Sequence, residues 1–192
     1  MEEFNKIKTP EELLKYMDNN ITYGFVGRNG KKYYDMFSKE WDDWYNEYFV
    51  QTGEELIESK TGTCWDQVEL ERLWFEKNNY NYKTIFTWFE VNRPNNLPTH
   101  TFLIYESDGK YYWFEHADES NKGIHEFETE EDAINYLKEK QFLYAYNNKY
   151  DIKKEEKDCF TAYEYTKPND HLGVDEYINH VTSKKYNLKS SL

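Results

Sequence analysis

Three side chains in this sequence have the types and the order that nucleophilic acyl transfer needs: Cys64, His100 and Glu115. A thiol on the first turn of a helix lies beside unpaired amides and the positive end of the macrodipole, which favour thiolate over thiol. The run Thr61-Gly62-Thr63-Cys64-Trp65-Asp66 reads as such a helix start. Thr63 is positioned to cap, and Asp66, three residues on, completes a capping box. Val68, Leu70, Leu73, Trp74 and Phe75 then supply an apolar side. Gly62 permits close approach of another backbone or of a substrate. Cys64 is the expected nucleophile.

The base and its orienter follow from a hairpin. Asp108-Gly109 separates the alternating runs His100 to Glu106 and Tyr111 to His116, which is a strong turn signal. With a two- or four-residue loop, Glu106 faces Tyr111, and side chains at 100, 102, 113 and 115 share one face. Glu115 becomes a diagonal neighbour of His100, within reach of its ring. A three-residue loop would bring His116 to that face instead, and Asp118 is a further candidate for the same role. The expected chemistry has Cys64 attack a carbonyl, His100 take and return the proton, and Glu115 fix the imidazole tautomer. The Cys64 backbone N–H is the natural first oxyanion donor, with Gln51 and Gln67 as candidates for a second.

The Gly62-Thr63-Cys64-Trp65 run resembles the Gly-X-Cys-Trp nucleophile motif of transglutaminase-like and papain-like cysteine enzymes. The resemblance covers roughly residues 52 to 127. The short separation between Cys64 and His100, and the hairpin carrying both later residues, are closer to the compact transglutaminase-like group than to the papain peptidases. That resemblance implies a papain/transglutaminase-type core and a cysteine-dependent acyl transfer through a thioester: amide hydrolysis, deamidation or transglutamination of a protein or peptide. It also implies inactive relatives, so the alternative reading is a catalytically inactive, acidic protein-binding module on the same scaffold. Two features depart from the group: Glu115 stands where Asp is usual, and Asp66-Gln67 follows the Cys-Trp pair in place of small or apolar residues.

Composition narrows the partners. A net charge of -13 disfavours nucleic acid or an anionic membrane surface and favours a basic protein or amine substrate. No stretch approaches a membrane span, the acidic Met1-Glu2-Glu3 start is unlike a signal peptide, and two cysteines are too few for a disulfide framework. The expectation is a soluble, cytoplasmic protein without cofactor or metal. The group Glu115, His116, Asp118 and His125 matches no standard metal-binding spacing. Cys159 lies in an alternating stretch and reads as a small buried side chain.

The elements that must position these residues follow from caps and periodicity. Residues 1–192 read as one domain of α+β class, a helical N-terminal part packed on an antiparallel sheet with the helices on one side of it, and the resemblance makes it a single transglutaminase-like domain with its core at about 52–166. Thr9-Pro10-Glu11-Glu12 starts a helix that ends near Asn19-Asn20, and Ile21 to Lys32 reads as a small hairpin or long loop. Tyr33 to Val50, with Phe37, Trp41, Trp44, Tyr45 and Tyr48 at helical spacing, predicts a helix. Thr52 opens a short helix to Glu58, and the Cys64 helix runs to about Lys77. Strands are expected at Lys83–Val91, 100–106, 111–116, Gly123–Phe127, Phe142–Asn147 and Asp158–Thr166, with a loop at Arg93-Pro94-Asn95-Asn96. A helix capped at Thr129 runs to about Lys140, and Val174–Val181 closes the chain as an amphipathic stretch. With aromatics at 19% of residues, the core must be built largely from rings.

Overall fold

A computed structural model describes residues 1–34, 38–39, 44–92 and 97–184 of the protein. The Thr9 hydroxyl accepts the Glu12 N–H, Pro10 opens the first turn, and α1 (Pro10–Asn20) buries Leu13 and Met17, one turn apart. Next come β1 (Thr22–Tyr23), β2 (Phe25–Val26) and β3 (Lys32–Tyr33), the last two pairing as the small antiparallel hairpin.

Among the described residues of Tyr33–Val50, the expected long helix does not form. Tyr33 belongs to β3, where it stacks on Phe25 at 4.4 Å, and Tyr48 bridges back to Gly27. α-Helix in the described part of this stretch is confined to α2 (Trp44–Glu47). Trp44 and Tyr48 pack around Trp65, so tertiary ring contacts account for aromatic spacing that mimics a helical period. Phe37 and Trp41 lie outside the described residues, as does the loop expected at 93–96.

A complete capping box starts α3 (Gly53–Ser59): Glu55 N–H donates to the Thr52 hydroxyl, and Thr52 N–H donates to the Glu55 carboxylate. Lys60, left-handed at φ 57°, turns the chain sharply into β4 (Thr61–Gly62), which runs parallel to β1 with Tyr23 opposite Gly62. α4 (Cys64–Lys77) follows at once. Almost every residue from Cys64 to Phe75 is buried, including five polar ones, because neighbours enclose this helix on several sides. Gly53 allows one such approach, since a Cβ there would sit 2.8 Å from the Glu69 carbonyl oxygen.

The sheet comprises β5 (Asn81–Phe89), β6 (His100–Ser107), β7 (Lys110–Glu115), β8 (Gly123–Phe127) and β9 (Phe160–Tyr165). Its order is β8-β7-β6-β5-β9 and every pairing is antiparallel. Between β8 and β9 runs α5 (Glu130–Asn147), and α6 (Val174–Val181) comes last among the described elements.

Two expectations are corrected here. The strand expected at Phe142–Asn147 is the continuation of α5: Ala133 and Leu137 lie four residues apart and Ala145 eight further on, all on its buried side, and no Gly or Pro interrupts it. The helices also do not lie on one side of the sheet. Leu103, Tyr105 and Phe114 pack with Leu70, Trp74 and Phe75 of α4, while Ile85, Phe102, Ile104 and Trp113 pack with Ala133, Ile134 and Leu137 of α5. Alternate residues of β6 therefore enter different cores, as the period of two requires. Among the described residues, no helix is long and apolar enough to cross a membrane.

Candidate active site

Cys64 is the first residue of α4 and is 7% exposed. The helix start that holds it departs in one respect from the expected box. Asp66 accepts the Thr63 backbone N–H at 2.8 Å, yet the Thr63 hydroxyl donates to the same carboxylate rather than accepting from the helix. Gln51 N–H (2.8 Å) and the Tyr48 hydroxyl (3.1 Å) complete four donors on Asp66. Its charge is turned toward these amides and hydroxyls. Burial outweighs them and pushes the Asp66 carboxyl up to about 6. Gly62 is needed here for Asp66 rather than for a substrate, since a Cβ would meet the Asp66 Cβ and Leu56 Cδ1 at 2.7 Å.

Asp108 and Gly109 both adopt positive φ, 52° and 76°, and form a two-residue turn in which Glu106 pairs with Tyr111 and Ser107 with Lys110. That register makes Glu115 the diagonal neighbour of His100. The His100 Nε2 lies 2.7 Å from Glu115 Oε2, and Glu115 Oε1 accepts the Asp118 backbone N–H at 2.7 Å. With Nε2 committed to Glu115, Nδ1 is the ring nitrogen left to serve a second partner. Cys64 lines the same cavity as His100 and is among the groups that raise its imidazole. Burial works against protonation of His100, but the charges of Glu115 and Cys64 outweigh it and hold the imidazole well above its usual range.

The structure thus brings Cys64, His100 and Glu115 together. His116 and Asp118, the alternative third members, are used differently. His116 Nδ1 meets Gln67 Oε1 at 2.6 Å and its Nε2 lies 3.4 Å from Asp18, while the Asp118 carboxylate accepts Ser120 N–H and the Asn121 side-chain amide. Burial first, and then Lys122, hold His116 below its usual range. Both candidate second oxyanion donors have structural bonds. The Gln51 side-chain amide donates to Thr61 O at 2.8 Å, and that of Gln67 to Gly62 O at 3.0 Å. Cys159 ends a 3-10 turn (Lys154–Cys159) and is partly exposed rather than buried. Among the described residues, no three His, Cys, Asp or Glu side chains group as a metal site.

Cys64 and His100 line a cavity of about 1430 Å³, large enough for a peptide segment or an extended side chain. Its walls include Trp113, expected on the His100 face, and several residues that the sequence did not single out, among them Tyr23, Trp88, Gln141 and Tyr144. Tyr144 was hidden by its assignment to a strand. Trp88 sits on an expected strand, but nothing in an aromatic-rich sequence marks one ring as a cavity wall and another as core. Tyr23 had one signal, its place just before Gly24 in a short extended run.

No protein-family model matches this chain, and no curated protein matches it either.

Proposed function

We propose that this protein is a cysteine-dependent acyl-transfer enzyme of the transglutaminase-like kind, carrying its acyl group as a thioester on Cys64. The observation that carries the proposal is the His100 imidazole, held 2.7 Å from Glu115 and lining the large cavity together with the Cys64 thiol.

In this reading, the Cys64 sulfur adds to an amide carbonyl and the carbon–nitrogen bond breaks. The departing amine takes the proton that His100 holds, and the thioester remains. Water or a second amine then gives its proton to His100 as it attacks, the carbon–sulfur bond breaks, and the proton and thiolate return to the imidazole–sulfur pair. Glu115 fixes the ring and supports its positive charge. A net charge of -13 favours basic protein or peptide substrates in a reducing, cytoplasmic compartment.

Iodoacetamide labelling near neutral pH, followed by peptide mapping, tests the reading. Cys64 is expected to react far faster than the more exposed Cys159, and Cys64→Ala to abolish ammonia release from glutamine peptides without loss of fold. Equal labelling rates overturn it. Salt-sensitive binding of a basic protein that survives Cys64→Ala, with no turnover, supports the inactive binding module instead.

A further inference from the structure

Resting on that reading, the geometry points to Tyr23 as the second oxyanion donor: its phenol O–H, with the Cys64 backbone N–H, binds the oxygen of the tetrahedral intermediate on Cys64.

The placement follows from a pairing that no sequence motif announces. The parallel ladder of β1 with β4 sets Tyr23 opposite Gly62, two residues before the nucleophile, and the Gly24 N–H continues it onto the Gly62 carbonyl at 3.3 Å. Tyr23 is thereby fixed to the backbone segment that carries the sulfur. Its ring is partly buried and lines the cavity together with Cys64, His100 and Tyr144.

The phenol also has the required chemical state. No hydrogen bond to its oxygen occurs among the described residues, so the donor is uncommitted. Burial comes first, and then the neighbouring ionisable groups Cys64, Tyr144, Asp66 and Glu115, in holding this phenol well above its usual range. It is a neutral O–H donor wherever the enzyme works. The rival donors lack this freedom, since the amides of Gln51 and Gln67 hold backbone carbonyls of the β4 segment. An oxyanion hole requires donors aimed where charge appears in the transition state, at little reorganisation cost. An unpartnered phenol tied to the strand that leads into the helix of Cys64 meets that requirement.

The test separates a reaction that develops an oxyanion from one that does not. Acylation of Cys64 by 4-nitrophenyl acetate passes through a tetrahedral oxyanion, whereas alkylation by iodoacetamide is a displacement at saturated carbon. Tyr23→Phe keeps the ring and removes the donor. It is expected to slow the nitrophenolate burst by about 10²-fold or more while changing alkylation of Cys64 by less than about twofold. Replacement of Tyr23 by 4-aminophenylalanine, which restores a donor, is expected to recover most of the burst. Thermal melts of each variant report folding. An unchanged burst in Tyr23→Phe overturns the proposal and leaves the cysteine-enzyme reading intact. Parallel loss of burst and alkylation also overturns it, making Tyr23 a positioning residue for the sulfur. A wild-type protein with no burst, and with Cys64 alkylated no faster than Cys159, takes both readings down.

Discussion

The Glu115 carboxylate meets the His100 imidazole at 2.7 Å although the two residues are not direct partners in the sheet: Leu103 faces Phe114, so the carboxylate reaches diagonally along its own face. The contact is a consequence of register. The two-residue turn at Asp108-Gly109 sets it, and the Asp118 backbone N–H on the other carboxylate oxygen fixes the side chain that makes it.

Glu115→Gln keeps the shape and removes the charge. Burial of His100 is then less strongly opposed, and its imidazole titrates at lower pH than in the wild type. The alkaline limb of the pH profile for Cys64 acylation is expected to move to lower pH, measured as burst rate against pH. The stability change has a defined sign. A histidine held above its usual value contributes stability that is fully present below about 6.5 and is lost as pH rises through the folded value. The variant's deficit in urea unfolding should therefore be largest in acid and shrink in alkali.

Asp66→Ala leaves two buried backbone N–H groups, of Thr63 and Gln51, without their acceptor. A cost of roughly 1–3 kcal/mol at neutral pH is expected, read from urea denaturation, together with slower iodoacetamide labelling of Cys64 as the helix start loosens. The Asp66 carboxyl is raised from 3.8 to about 6, so its contribution is fully present below its ordinary value and is lost as pH rises through about 6. The gap between wild type and variant should accordingly be wider at pH 4 than at pH 7. A gap that widens with rising pH counts against this account.

Arg72 lies within the core, donating to Glu69 at 3.0 Å and to the Thr84 hydroxyl at 2.6 Å, which in turn donates to Tyr165 O at 2.7 Å. Arg72→Leu strands Glu69 in a site where burial already raises its carboxyl. A loss of about 3–5 kcal/mol is expected in chemical denaturation. Pairing it with Glu69→Leu should recover a large part of that loss, since removing both charges removes the desolvation penalty along with the attraction.

Gly109, at φ 76° with no atom near its missing side chain, is held by backbone conformation alone. Gly109→Ala is expected to cost about 1–2 kcal/mol in thermal or urea unfolding. Cys64 labelling per folded molecule should stay close to wild type, because the register, and with it the His100–Glu115 contact, is retained.

The sequence legibly carried the parts of this protein that are local. Caps at Thr9, Thr52 and Thr129 marked helix starts, because orphan amides at a helix end demand side-chain acceptors within three residues. Asp108-Gly109 limited the hairpin to a few registers, and the structure selects the two-residue form that puts Glu115 on the His100 face. The failures share one cause. Aromatic runs carry little phase information in a chain where rings fill both core and cavity, so Tyr33–Val50 resembled a helix and Phe142–Asn147 a strand. Burial against neighbours decided both.

What residues 61–66 and the Asp-Gly turn determined by themselves is a helix-start thiol and a histidine hairpin, because caps and turns are satisfied by residues close in sequence. Tertiary structure alone decided that Cys64 and His100 line one cavity, that α4 and α5 enclose opposite faces of the sheet, that Gln51 and Gln67 are committed to backbone carbonyls, and that Tyr23 pairs with Gly62 and lines that same cavity. Each of those depends on pairings between segments far apart in the chain, and such pairings are chosen by the packing of the whole core rather than by any short run of residues.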